Sequence, residues 1–79
     1  MNTGKRIKEI REKAGLNQSE FASALGLDSR DTVSRWERGL GIPSGEVLQK
    51  ISDRYGVSIH WLVSGTGPRN VDEIIQNMG

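Results

Sequence analysis

Glycine recurs at short intervals along this chain of 79 residues and divides its apolar residues into short groups. Within each group the apolar residues lie three or four positions apart, which is the spacing of one face of a helix. No group alternates apolar and polar residues as a strand does. Because glycine is typical just after a helix ends, the pattern predicts an all-α fold with breaks at Gly15, Gly26, Gly39, Gly56 and Gly65.

Each predicted helix follows a residue that can accept a hydrogen bond from a free backbone N–H group. Asn17 with Glu20 has the spacing of a capping box, and both Asp28 and Ser29 are candidates to cap the third helix. The predicted helices cover about residues 4–14, 18–25, 30–38, 45–55 and 59–64, with Thr3, Asn17, Asp28 or Ser29, Ser44 and Ser58 as their caps.

A short C-terminal helix is predicted after a break at Thr66–Arg69. Its apolar stripe consists of Val71, Ile74, Ile75 and Met78, at helical spacing. The stripe has three interpretations: it packs back on its own domain, pairs across a dimer, or begins a linker. We therefore divide the chain into a domain over residues 1–68 and an amphipathic tail over 69–79.

Composition excludes several classes of function. The chain has no cysteine and a single histidine, His60, so disulfides, thiolate catalysis and the common zinc sites are excluded. No glycine pattern for binding phosphate and no supported catalytic pair is present. No apolar run approaches the roughly 20 residues that cross a bilayer. We expect a non-enzymatic cytoplasmic protein without cofactor, metal, small-molecule substrate or membrane partner.

The charges are distributed unevenly between the two halves. Residues 1–39 hold eight bases and six acids, whereas residues 40–79 hold three bases and four acids. A protein held on nucleic acid by charge alone is usually far more basic. If nucleic acid is the partner, shape and direct contacts must supply much of the affinity.

The second and third predicted helices have the arrangement of a helix-turn-helix, in which the second helix of the pair can enter the major groove of DNA. Burial of Val33 and Trp36 sets the phase of the third helix, and its polar residues then face outward. The inward set is Phe21, Ala22, Leu25, Leu27, Val33 and Trp36, and the outward set is Arg30, Asp31, Ser34, Arg35 and Arg38.

Three segments together carry a family resemblance. They are GLNQSEFASALG at 15–26, TVSRWERG at 32–39 followed by Pro43, and GVSIHWLVSGTGP at 56–68. With these segments the chain resembles the helix-turn-helix domains of the Xre and lambda-repressor/Cro group, above all phage repressors. The resemblance implies a five-helix domain that binds two-fold symmetric operator DNA as a homodimer and represses transcription.

The resemblance also implies roles for individual residues. Arg30, Asp31, Ser34 and Arg35 match the face that contacts bases, where arginine can bond guanine and a carboxylate can accept from cytosine. Asn17, Gln18 and Arg38 match contacts with the DNA backbone, and a helix N-terminus favours an anion. Arg11 and Glu37 match an ion pair that ties the first helix to the third.

Several of these residues also have a purely structural interpretation. Asp31 and Arg35 are four residues apart, so they could form a surface ion pair, worth about 0.3–0.5 kcal/mol. Core packing is the expected role of both Trp36 and Trp61. A cluster of bases in the first helix, Lys5, Arg6 and Lys8, could touch DNA or only face solvent.

The sequence departs from the family pattern in two places. The turn over residues 26–29 is one residue longer than usual, which leaves the start of the third helix open by one residue. The loop over residues 40–42 lacks the usual bases, so a flatter salt dependence of DNA binding is expected. The alternative function is a protein-binding module of the same fold, such as an antitoxin or adaptor.

Overall fold

The computed structural model describes residues 2–70. The all-α prediction is confirmed for this part of the chain. Its β-type pairing is an isolated antiparallel bridge between Val57 and Asn70. The tail stripe at Val71–Met78 lies outside the described residues. The helices are α1 (Thr3–Lys13), α2 (Gln18–Ala24), α3 (Arg30–Glu37), α4 (Gly45–Tyr55) and α5 (Ile59–Ser64).

Four of the predicted caps are confirmed. The Asn17 side chain accepts from the Glu20 N–H at 2.8 Å, and the Glu20 carboxylate accepts from the Asn17 N–H at 2.9 Å. Ser29, Ser44 and Ser58 each accept a backbone N–H from the first turn of α3, α4 and α5. Because Ser29 is the cap, and not Asp28, α3 begins at Arg30.

The predicted cap of the first helix is wrong. Thr3 is the first helical residue, Asn2 occupies the cap position, and the Asn2 side chain makes no capping hydrogen bond. Thr3 is 2% exposed, and its hydroxyl donates to the carbonyl oxygen of Val63 at 3.5 Å. The Thr3 hydroxyl therefore bonds α5 and does not cap α1. Ala14 follows the last residue of α1 and is exposed.

One core joins all five helices. Phe21, Val33, Leu62, Ile7 and Ile51 are fully enclosed, at 0% exposure. The rest of the core consists of Ile10, Ala22, Leu25, Trp36, Leu48 and Val57, with Leu27, Tyr55 and Trp61 among the half-buried residues packed around it. The inward set predicted for α2 and α3 is therefore confirmed, with Leu27 at its edge.

The segment after α5 returns to the body of the domain. The Ser58 N–H donates to the Arg69 carbonyl oxygen at 2.7 Å. Trp61 is half-buried, and the guanidinium carbons of Arg69 and Arg6 lie 4.8 and 5.9 Å from its ring centre. Within residues 2–70 no helix is long and apolar enough to cross a membrane.

Candidate nucleic-acid interface

The turn between α2 and α3 is closed by a left-handed glycine. Gly26 has φ +73°, a conformation that strains any residue with a Cβ atom. The next N–H, that of Leu27, bonds back to the Ala22 carbonyl oxygen at 2.9 Å. Leu27 is also half-buried against the core. The turn is therefore held at both ends, and this fixes the angle between α2 and α3.

The buried face of α3 determines which of its residues face solvent. Val33 is 0% and Trp36 is 5% exposed. Arg30, Asp31 and Arg35 are exposed on the other side, and Ser34 is half-buried at the edge. The third helix thus presents a polar surface to solvent while its apolar residues hold it to the core.

The charged groups of this face are available to a ligand. Asp31 and Arg35 form no ion pair within 4 Å in the described part of the chain, although they lie one helical turn apart. Arg38 is exposed, and its Nε donates to the Ser34 carbonyl oxygen at a long 3.4 Å. The surface ion pair considered from the sequence is absent here, and both charges remain open to solvent.

An ion pair joins α1 to the end of α3. Arg11 donates to the two carboxylate oxygens of Glu37 at 2.7 Å from Nε and 3.1 Å from Nη2. Its Nη1 donates to the Leu16 carbonyl oxygen at 2.8 Å. The side chains are only 12% and 7% exposed. The pKa of Arg11 is raised, because the hydrogen bond to Glu37 outweighs the opposite effect of burial. Arg11 and Glu37 thus form a bidentate ion pair.

Gln18 joins the same cluster. Its Nε2 donates to Glu37 Oε1 at 3.1 Å across 19 residues of sequence. Asn17 and Gln18 are adjacent, but their side chains are held differently: that of Asn17 caps α2, and that of Gln18 reaches α3. This link was not predicted from the sequence, because no local pattern marks a hydrogen bond between side chains of different helices.

The basic residues of the first helix have separate positions. Lys5 and Lys8 are exposed, whereas Arg6 is half-buried. Arg6 donates to the carbonyl oxygens of Leu62 at 2.9 Å and Val63 at 3.2 Å. These carbonyls belong to the last turn of α5, which lacks helical partners for them. Arg6 therefore stabilises the end of α5 from within the domain.

No feature of the described part indicates metal chemistry. It contains no group of three His, Cys, Asp or Glu side chains that could hold an ion. His60 is exposed at the first turn of α5, and its Nε2 lies 3.2 Å from the Thr66 hydroxyl. The polar cluster of His60, Ser64 and Thr66 is a local network at the end of α5.

The tight α2–α3 pair, the buried seam of α3 and its polar outer face define a helix-turn-helix domain, a class of DNA-binding domain. A family model described as helix-turn-helix matches residues 7–62. The chain belongs to this helix-turn-helix family.

Similar proteins include regulators and repressors. The HTH-type transcriptional regulator ImmR of Bacillus subtilis is 40% identical over 63 residues, which cover 80% of this chain and 49% of ImmR. The repressor protein CI of Enterobacteria phage phi80 is 37% identical over 67 residues, 85% of this chain and 28% of that protein. The chain thus spans about half of ImmR, and less of the phage protein.

A similar segment also occurs within an enzyme. The type II methyltransferase M.SsoII of Shigella sonnei is 44% identical over 54 residues, which cover 66% of this chain but only 14% of the methyltransferase.

Two solved structures are similar in fold and in sequence. The P22 c2 repressor in complex with a synthetic operator has a TM-score of 0.75 and 30% identity, covering 84% of this chain and 98% of that one. A complex of the SinR and SinI proteins has a TM-score of 0.69 and 30% identity, covering 99% of this chain and 78% of that one.

Proposed function

We propose that the chain is the DNA-binding domain of a phage-type repressor that binds its operator as a homodimer. The observation that carries the proposal is the outer face of α3, which is polar and exposed while Val33 and Trp36 are buried. The likeness to a P22 c2 repressor bound to a synthetic operator supports it. Bound RNA polymerase and a bound dimer would compete for the same duplex, so repression occurs by occlusion.

The proposed base contacts come from α3. Arg35 and Arg30 donate to guanine, Asp31 accepts from a cytosine amino group, and Ser34 bonds a base from the edge of the face. The backbone contacts come from Asn17, Gln18 and Arg38, which flank α3. The Asn17 and Glu20 N–H groups are already bonded within the capping box. These two N–H groups are therefore not offered to a phosphate.

The test of base contact is Arg35→Ala. Arg35 is exposed and makes no side-chain hydrogen bond to another described residue, so the change should leave folding intact. Affinity should fall by about 1–3 kcal/mol, with relaxed preference at one base pair. Selection of bound sequences from a random DNA pool measures both effects.

The matched control is Arg54→Ala, which removes an exposed arginine from α4. It should leave the selected sequence unchanged. If Arg35→Ala also selects the wild-type sequence at full affinity, α3 is not the base-contacting helix.

The proposed dimer places two copies of α3 in successive major grooves, about 34 Å apart on one face of the duplex. The operator should therefore be an inverted repeat. A footprint should show two protected half-sites related by a dyad, and sedimentation of the complex should give two chains per duplex. A single asymmetric half-site with one chain bound would exclude the homodimer.

A second candidate function is a protein-binding module of the antitoxin or adaptor type. The likeness to a complex of SinR with SinI favours it, as does the exposure of Leu40 and Ile42, at 56% and 57%. Such a module would tolerate Arg35→Ala and lose its partner when α5 is altered. The same Arg35→Ala variant therefore distinguishes the two functions.

The proposed activity includes no catalysis, cofactor or small-molecule substrate. The segment shared with a methyltransferase is 14% of that enzyme. Because the proposed partner is operator DNA, the proposed location is the cytoplasm of a bacterium or of a phage-infected host cell.

A further inference from the structure

We propose that Glu37 is a positioning residue for DNA binding, which holds the Gln18 side chain in place before DNA arrives. The proposal rests on the proposed contact of Gln18 with the DNA backbone. Glu37 itself does not touch DNA. Its carboxylate fixes the Gln18 amide so that one N–H group of that amide is left for a phosphate oxygen.

Three hydrogen bonds reach the Glu37 carboxylate. Oε1 accepts from Gln18 Nε2 and from Arg11 Nη2, both at 3.1 Å, and Oε2 accepts from Arg11 Nε at 2.7 Å. A side-chain amide nitrogen carries two N–H groups. One of them is bonded to Glu37, and within residues 2–70 this nitrogen makes no second hydrogen bond. The other N–H group therefore remains available.

Arg11 makes a carboxylate tolerable at this place. A bare negative charge beside a phosphate contact would repel DNA. The Arg11 guanidinium neutralises Glu37, and the pair is nearly enclosed, at 12% and 7% exposure. Gln18 thus bonds an ion pair with no net charge, in which Glu37 Oε1 is still an acceptor.

The same cluster fixes the position of α2 relative to α3. Arg11 also donates to the Leu16 carbonyl oxygen at 2.8 Å, two residues before Gln18. The loop that leads into α2, the first side chain of α2 and the last residue of α3 are therefore bonded to one ion pair. Order that is established before binding reduces the entropy lost when DNA binds.

Asn17 shows that Gln18 needs this external support. The Asn17 side chain is fixed locally by the capping box with Glu20. Gln18 has one more methylene group and no local partner, and its hydrogen bond is to a residue 19 positions away. Loss of Glu37 would free the Gln18 amide without changing the cap of α2.

The experiment measures operator affinity of the full chain with and without Gln18→Ala in two backgrounds. One background is wild type, and the other is Arg11→Met/Glu37→Leu. The double change removes the acceptor without leaving a buried charge unpaired. Gln18→Ala should weaken wild-type binding roughly tenfold, as expected for a hydrogen bond to a charged group. In the double background the same change should cost less than about twofold.

A conservative variant and a control separate positioning from folding. Glu37→Gln keeps an acceptor oxygen, so Gln18→Ala should still weaken its binding several-fold. Arg38→Ala, outside the cluster, should weaken binding by the same factor in wild type and in the double background. An equal effect of Gln18→Ala in every background overturns the proposal.

A second measurement does not depend on the double variant being folded. NMR relaxation of the Gln18 side-chain amide in the free protein should show an ordered group, and a freely rotating amide overturns the proposal. If Gln18→Ala leaves wild-type affinity unchanged, its backbone contact is wrong. DNA binding by α3 is tested separately with Arg35→Ala. Failure of the Gln18 proposal can therefore be distinguished from failure of the proposed DNA-binding function.

Discussion

Gly4 allows the backbones of α1 and α3 to meet. A Cβ atom built on Gly4 would lie 1.7 Å from the Trp36 carbonyl oxygen and 2.7 Å from its carbonyl carbon. Both atoms are backbone, so no side chain can move aside. Gly4 lies in the first turn of α1, where glycine is otherwise unfavourable to a helix. Its value is the close approach that places Arg11 beside Glu37.

We predict that Gly4→Ala destabilises the domain although alanine is the better helix former. The added methyl group forces α1 away from α3 and should cost at least about 1–3 kcal/mol, the usual range for overpacking. Urea unfolding followed by circular dichroism measures the loss.

Gly45→Ala is the matched control for Gly4→Ala. Gly45 begins α4, and a Cβ there meets nothing within 4 Å. The change should be neutral or stabilising by about 0.4–1 kcal/mol. Equal effects of the two substitutions would contradict the close contact at Gly4.

At the scale of elements, α5 depends on a residue from α1. It has six residues, and a helix so short is marginal alone. Ser58 caps its start, and Arg6 donates to the Leu62 and Val63 carbonyl oxygens near its end. The Arg6 guanidinium also lies 5.9 Å from the Trp61 ring centre. One side chain thus ties the first helix to the last one described.

We predict that Arg6→Ala loosens α5 and lowers stability by about 1–3 kcal/mol, since two part-buried carbonyl groups lose a charged donor. The combined fluorescence of Trp36 and Trp61 should shift to longer wavelength at a lower urea concentration than in wild type. Lys5→Ala, which removes an exposed neighbouring charge, should change neither quantity. A wild-type response of Arg6→Ala would mean that Arg6 only faces solvent.

For the whole molecule, the weak net charge affects DNA binding. Net charge is +1, and no base lies between Arg38 and Lys50. The loop after α3 instead exposes Leu40 and Ile42, at 56% and 57%. This part of the molecule should neutralise few phosphates. The affinity for DNA should therefore fall less steeply with salt than in a repressor with a basic loop.

We predict that Ile42→Lys steepens this salt dependence. The slope of log K against log salt should grow by about 0.9 for each phosphate that the new lysine neutralises. Titrations at several salt concentrations give the slope. Gln49→Lys adds the same charge at an exposed position on α4. An equal change for both variants would mean that total charge, and not loop position, governs the slope.

The sequence by itself determined where the helices lie and which face of α3 is exposed. Caps such as Asn17 and Ser58, and the spacing of Val33 and Trp36, act within one or two turns of the chain. Hydrogen bonds between near neighbours and the helical period are properties of short segments, so the residues alone express them. The wrong cap at Thr3 arose where a distant carbonyl took the hydroxyl.

Only the tertiary structure decided how the helices are tied together. Gly4 meets Trp36, Arg6 reaches the carbonyls of α5, and Gln18 bonds Glu37. These partners are separated by 19 to 57 residues, and no periodicity or cap pattern marks such pairs. Their geometry exists only once the core around Phe21 and Val33 has set the helices at fixed angles. The exposed face of α3 is thus a local property, and its rigid presentation is a property of the fold.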